Sequence, residues 1–279
     1  MVDKTSLRGG TAVISGGGSG LGASMAQRFA SLGMNIAVLD IDGAQAEEVS
    51  ARIRNDGGIA KAFQIDVSDR TALQAAANEI EREFGSCSVL CANVGVQQFG
   101  AIDRLTENDW RWVLEVNVMG VVRTVDTFLP LIRKAANPRH IVITSSSAAY
   151  SPGIRMAAYT TSKYAVTGYA ETLRMEMEGE GIGVSILFPA GMSTSHLQSS
   201  VKARPVALGT CEVKREDIDA MMQSRKIDLA GHVVTADYAT RHLLHELLEN
   251  RRYIVTHGNC REAIVSNFED LIAAHDRAQ

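Results

Sequence analysis

The glycine-rich stretch Gly16-Gly-Gly-Ser19-Gly20-Leu21-Gly22 constrains the fold of this chain more than any other. The residues before it, Thr11-Ala-Val-Ile-Ser15, read as a short buried strand, and residues 23–32 have a helical period. A strand, a glycine turn and a helix start make a cradle for a phosphate. Glycines let the backbone approach the anion, and the unpaired N–H groups of the helix N-terminus face it. The spacing is G-x-x-x-G-x-G, not the commoner G-x-G-x-x-G. A tight turn with a purely structural purpose would look similar, but the following residues argue against it. A second strand is read at 35–39, and Asp40 ends it, where a carboxylate would meet the hydroxyls of an adenosine ribose.

The same alternation continues to the end of the chain. Further strands are expected at 59–65, 88–92, Arg139–Thr144, 183–188 and 253–256. Helices are expected at 43–56, 71–84, about 106–134, from Tyr159 onward, 235–249 and 261–275. The long one opens with Thr106-Glu-Asn-Asp109, a capping box. Strands alternating with helices specify a parallel sheet covered on both faces. Ligands bind such sheets outside the carboxyl ends of the strands. Gly16, Asp40, Asp66, Asn93, Ser146 and Pro189 all fall at such ends, so one crevice can hold them together.

The chemistry is concentrated in Tyr159-Thr-Thr-Ser-Lys163. Residues four apart on a helix share a face. A phenol ionises near pH ~10, and an ammonium one turn away stabilises the phenolate. A Tyr and a Lys at this spacing on a solvated face mean nothing by themselves. Here, however, the serine run after the fifth strand carries hydroxyls to the same place. Ser146 is the choice, with Ser145 and Ser147 as alternatives. Asn117, polar amid Val113, Leu114, Val116, Val118 and Val121, is either a satisfied core amide or a working group.

Taken in order, these motifs resemble those of the short-chain dehydrogenase/reductase family over nearly the whole chain. They are Gly16…Gly20-x-Gly22, Asp66-Val67, Asn93-Val94-Gly95, Asn117, Ser146 with Tyr159-x-x-x-Lys163, and Pro189-Ala-Gly-Met192-Ser-Thr194. The resemblance implies an α/β Rossmann-type doubly wound parallel sheet of about seven strands. It implies Tyr159 as acid/base, Lys163 as its electrostatic partner and a ribose ligand, Ser146 on the substrate oxygen, and Asn117 in a water relay. Cofactor contacts would come from Gly16, Ser19, Gly20, Leu21, Gly22, Asp40, Asp66, Val67, Asn93, Gly95, Tyr159, Lys163, Met192 and Thr194. Asp40 would favour NAD over NADP. The chain departs from the family at Ala92, where an Asn is usual, and at Ala190, where Gly is common.

The function implied is NAD-dependent hydride transfer between a small-molecule secondary alcohol and nicotinamide. The ending Tyr253-Ile-Val-Thr-His257-Gly resembles members acting on bulky aryl or polycyclic alcohols. A reductase of ketones or 3-oxoacyl groups is the alternative, with Lys202, Arg204, Lys214 and Arg215 as a candidate basic entrance. A non-catalytic dinucleotide sensor would have no need of the Ser146, Tyr159, Lys163 and Asn117 set. Residues 195–234, with no strong period, would cover the substrate, as long irregular segments in compact domains often do. By resemblance the protein would be a homo-oligomer, a dimer or tetramer.

Composition agrees with one domain over residues 1–279. Hydrophobic residues make up 46% and charged residues 22%, ordinary for a soluble globular protein. A net charge of −4 offers no footprint for nucleic acid. No apolar run approaches the ~18 residues of a membrane helix. The first residues lack an apolar signal core, so the cytoplasm is the expected location. Cys87, Cys91, Cys211 and Cys260 lack metal-site spacing and read as reduced structural thiols. His242 and His245 share a helix face without a carboxylate partner, so no metal is expected.

Overall fold

A computed structural model describes residues 4–136, 138–209, 213–224, 233–258 and 261–278. Seven strands form one parallel sheet: β1 (Thr11–Ser15), β2 (Asn35–Asp40), β3 (Ile59–Gln64), β4 (Val89–Ala92), β5 (Arg139–Thr144), β6 (Ile182–Phe188) and β7 (Tyr253–Val255). Their order is β3-β2-β1-β4-β5-β6-β7, so the direction of winding reverses between β1 and β4. That reversal opens a crevice at the carboxyl ends of the two strands.

The strands are apolar throughout because both faces are covered. Successive side chains point to opposite faces, and the core divides accordingly. Val13, Ala37, Leu39, Leu90, Ile141 and Ile143 belong to one layer. Ile14, Ile36, Val38, Val89, Cys91 and Val142 belong to the other. Helices α1 (Gly20–Ser31) and α2 (Gly43–Asn55) pack with the second layer, α3 (Arg70–Phe84) with the first. Cys87 and Cys91 are fully buried; burial pushes the Cys87 thiol up to about 12 and raises that of Cys91. Such thiols are inert. Cys211 and Cys260 lie outside the described residues.

The expected long helix is present but has three parts. Thr106 and Asp109 form the capping box of α4 (Glu107–Leu114). A π-helical turn, Glu115–Met119, then leads into α5 (Gly120–Lys134). The site helix α6 (Ala157–Glu178) buries Tyr159, Ser162, Lys163, Val166 and Ala170 on one face.

The segment after β6 has more regular structure than its pattern suggested. It contains α7 (His196–Ala203), a 3-10 turn (Val206–Leu208) and α8 (Arg215–Ser224); residues 210–212 and 225–232 lie outside the description. The helix expected over 235–249 is two short helices, α9 (Ala236–Thr240) and α10 (Leu243–Leu248). Near the break, the Thr240 hydroxyl meets Ser24 and Arg28 of α1 at 2.7 and 2.6 Å. Tertiary hydrogen bonds thus override the local period. The last helix is α11 (Arg261–Arg277). Among the described residues no helix is long and apolar enough to cross a membrane.

Candidate active site

The glycine turn has its shape for a steric reason. A Cβ on Gly22 would lie 2.0 Å from the Gly16 carbonyl oxygen, so only glycine lets α1 start this close to β1. The first N–H groups of α1, from Gly20 to Gly22, have no intrahelical partner. They line a cleft of about 1420 Å³ that runs along the strand ends. Ser19 precedes them without capping the helix through its side chain.

Asp40 ends β2 beside this turn. Its carboxylate accepts the Gly18 N–H at 2.9 Å and the Asp42 N–H at 3.0 Å. Burial nevertheless holds its carboxyl above the ordinary value, against the pull of those two donors. Asp66 uses one oxygen on the Ser68 N–H and hydroxyl, at 2.9 and 2.8 Å. The helix cap is Asp69, which accepts from Thr71 and Ala72, so Asp66 is not needed for capping. Val67 is buried.

Asn93 serves the scaffold. Its amide donates to the Ser15 and Gly16 carbonyls at 3.3 and 3.2 Å, and its oxygen accepts the Thr144 hydroxyl at 3.0 Å. The side chain therefore ties β1, the glycine turn and β5 together, and Asn93 borders the cleft with little amide left over.

Lys163 is 3% exposed, and its ammonium donates to the Thr144 carbonyl at 3.0 Å. Burial pushes its pKa down to about 8. The ammonium lies 5.6 Å from the centre of the Tyr159 ring. Gly95 makes room for it, because a Cβ there would stand 3.3 Å from the nitrogen. The Ser146 hydroxyl oxygen accepts the Ala148 N–H at 3.1 Å, which leaves its hydrogen to donate. Ser145 bonds the Lys163 carbonyl and the Thr167 hydroxyl, so it holds α6 in place.

Asn117 is fully buried in the π-helical turn. Its side chain accepts the Val96 N–H at 2.7 Å and donates to the Val96 carbonyl and the Ser162 hydroxyl, both at 2.9 Å. The amide is satisfied, and the helix is distorted around it.

Met192, Ser193 and Val234 pair in a short bridge, with the Ser193 N–H donating to Val234 at 2.9 Å. His257 meets the Gly191 carbonyl at 2.8 Å and fastens this loop from the end of β7. Thr194 stands against Gly20. All the expected site residues except Asn117 line the cleft. Asn117 lies beneath it.

Several lining groups were not expected. Phe99, Trp112, Met156, Leu197, Leu208 and Met221 make the far wall apolar. His196, at the start of α7, lies in a segment whose sequence has no period to flag it. Arg204, read as part of a basic entrance, is instead nearly buried. It pairs with Asp109 at 2.7 Å and stacks 5.2 Å from the Trp112 ring centre. Charges are neutralised in such pairs, so Arg204 offers nothing to an acidic carrier. Arg215 pairs with Asp219 at 3.6 Å. Among the described residues no group of three metal-ligating side chains comes together.

Fold and site together define a dinucleotide-binding oxidoreductase. The family model described as short chain dehydrogenase matches residues 10–205. The chain belongs to the short-chain dehydrogenase/reductase family. It is 30% identical over 263 residues to a C alpha-dehydrogenase of Sphingobium sp. strain SYK-6, covering 94% of this chain and 85% of that protein. It is 35% identical over 193 residues to 3beta-hydroxysteroid dehydrogenase 1 of Eggerthella lenta, covering 67% of this chain and 72% of that one. A short chain dehydrogenase/reductase of Burkholderia phymatum in complex with NAD has a similar structure. Its TM-score is 0.87 and its identity 31%, over 96% of both chains.

Proposed function

We propose that this protein oxidises a bulky secondary alcohol to a ketone with NAD, and that Tyr159 is the proton acceptor. One observation carries the reading: the Lys163 ammonium lies buried beside the Tyr159 ring, and among the described residues the Thr144 carbonyl is its one hydrogen-bond partner. A positive charge with so little compensation favours phenolate. Tyr159 would take the alcohol proton while Ser146 donates to the same oxygen. Asn117 would act through its main chain in a relay to Lys163, because both of its amide hydrogens are engaged.

The residues present fit a nicotinamide dinucleotide. The unpaired N–H groups of Gly20, Leu21 and Gly22, with Gly16 and Ser19 beside them, would hold the pyrophosphate. Asp40 would take the adenosine ribose hydroxyls, and Asp66, whose second oxygen has no partner among the described residues, the adenine amino group, with Val67, Asn93 and Gly95 flanking the adenosine. Lys163 would bond the other ribose, and Met192 and Thr194 would orient the carboxamide. When bound, the nicotinamide supplies the hydride chemistry.

Preference for NAD rests on Asp40, with support from the NAD complex of the similar Burkholderia phymatum protein. A bulky substrate is supported by the apolar lining of Phe99, Trp112, Met156 and Met221 in the part of the cleft that the cofactor residues do not occupy. The hydroxysteroid dehydrogenase among the relatives points the same way. Residues 195–234 would cover the substrate. A cytoplasmic homodimer or homotetramer belongs to the same reading, by family likeness. A panel of aryl and alicyclic secondary alcohols, assayed by NADH absorbance, tests the reading. Reduction of NAD by several of them is expected, and no reduction with any would overturn it.

A further inference from the structure

His196 is the first residue of α7 and lines the cleft alongside Tyr159 and Lys163. Its backbone is anchored: the Ser200 hydroxyl donates to the His196 carbonyl at 2.7 Å and accepts the Gln97 N–H at 3.0 Å. The imidazole itself has no hydrogen-bond partner among the described residues. The surroundings are apolar, since the next residue, Leu197, packs with Phe99, Met156 and Tyr159. A half-buried ring anchored by its backbone and lining a cleft can offer its nitrogens to a ligand.

The chain's path says which end of the cleft the ring serves. Thr194 already stands against Gly20 of the glycine turn. Two residues later α7 has begun, and Leu197 packs on the Tyr159 cluster, at the catalytic end. Burial, reinforced by the charge of Lys163, pushes the His196 pKa down to about 4. The ring is neutral at ordinary pH, with one N–H donor and one acceptor nitrogen. It therefore does not compete with Tyr159 for a proton, and it can donate to an oxygen or accept from a hydroxyl.

We propose that His196 is a substrate-specificity residue whose ring hydrogen-bonds a second oxygen of the substrate, apart from the reacting one. The preferred substrates would then be bulky secondary alcohols that carry a further hydroxyl, phenol or ether oxygen. The inference rests on alcohol oxidation in this cleft. Ser146 and Tyr159 serve the reacting oxygen, so the His196 ring, on α7 and lining the same cleft, is available to another part of the substrate.

Two matched pairs of probes test it: 1-phenylethane-1,2-diol against 1-phenylpropan-1-ol, and 1-(4-hydroxyphenyl)ethanol against 1-(4-methylphenyl)ethanol. Wild type should prefer the oxygenated member of at least one pair by about tenfold or more in kcat/KM, the ratio that ~1.4 kcal/mol represents. His196→Leu should erase that preference, and His196→Asn or His196→Gln should restore part of it. NADH affinity, followed by fluorescence titration, should stay within about twofold, since the loss of one neutral contact to the alcohol leaves cofactor contacts intact. A preference retained in the leucine variant, no preference in wild type, or a parallel loss of NADH affinity would overturn the inference while leaving alcohol oxidation standing. Oxidation of none of the four probes by wild type would refute the alcohol reading and this inference with it.

Discussion

The Lys163 ammonium donates to the Thr144 carbonyl at 3.0 Å, nineteen residues back along the chain. This bond pins α6 to the end of β5 and holds a nearly buried positive charge at the edge of the cleft. It also fixes Tyr159, one turn earlier on the same helix, at the mouth of the serine-bearing strand end.

If Tyr159 is the proton acceptor, Tyr159→Phe removes the ionisable oxygen and keeps the ring's packing. Alcohol oxidation should fall by at least ~100-fold, the lower end of general acid–base contributions, with NADH binding nearly unchanged. Lys163→Met should damage both turnover and cofactor affinity. In wild type, oxidation should rise with pH through an apparent pKa well below that of free tyrosine, and that value belongs to the Tyr159–Lys163 pair. Wild-type turnover in the phenylalanine variant, measured with a confirmed substrate, would show that Tyr159 is not the base.

The depressed pKa of Lys163 also bears on stability. Below about 8 the folded protein carries the buried charge, and between about 8 and the ordinary 10.5 it has lost a proton that the unfolded chain still holds. The unfolded state then binds more protons, so stability rises with pH across that window. Relative to Lys163→Met, which has no such charge, cofactor-free wild type should gain roughly 2 kcal/mol between pH 7 and 9.5. Denaturant unfolding of both proteins at the two pH values measures this. A difference that does not change with pH would contradict the burial of a charged Lys163.

Asp40 would face the 2′-phosphate of NADP. Like charges ~4 Å apart at an effective dielectric near 20 repel by roughly 4 kcal/mol, and a third of that is about tenfold in affinity. The Asp40 oxygens also accept the Gly18 and Asp42 N–H groups, so the carboxylate cannot swing aside without breaking both bonds. NAD should be preferred by tenfold or more in kcat/KM, and Asp40→Ala should narrow the gap. Equal efficiency with NADP in wild type would refute the assignment.

The Gly22→Ala substitution should remove cofactor binding at the level of the fold. Its Cβ would collide with the Gly16 carbonyl at 2.0 Å, forcing the turn open. NADH affinity should drop at least tenfold, about 1.4 kcal/mol, with a lower Tm. Isothermal titration and thermal unfolding report the two effects, and wild-type affinity would mean that the turn is not the cradle.

Helices α7 and α8 should exchange their amide hydrogens faster than β1 and β5 in the absence of ligand, because they must admit substrate. Their ties to the rest of the fold include Arg204 on Asp109, Ser200 on the Gln97 N–H, and Asp217 of α8 on Arg104 and Arg155. Removing one partner of a buried pair costs about 3–5 kcal/mol. Arg204→Leu should therefore speed exchange in α7 and lower stability by a few kcal/mol, read by mass spectrometry and denaturant unfolding. Exchange in α7 as slow as in β5 would argue against a covering segment that opens.

What the sequence determined by itself is what local geometry dictates. A strand, a glycine turn and a helix follow one another within a few residues, and Asp40 ends the very next strand. Tyr159 and Lys163 share a face on any helix. Alternating apolar segments were enough to specify a parallel sheet and to bring the strand ends to one side. The tertiary structure decided everything that depends on a partner far along the chain. The Asn117 amide could have been a free working group until Val96 and Ser162 closed on it. Asn93 turned out to brace the glycine turn because Thr144 and Ser15 meet it across two strand pairings. Arg204 was a surface charge in the sequence and became a buried ion pair because α4 presents Asp109 to it. The helix over 235–249 broke where Thr240 met α1. His196 had no period or motif to mark it, and only the packing of α7 on the catalytic end turned it toward the cleft. A side chain's role there is set by which distant groups reach it first, and spacing along the chain does not encode that contest.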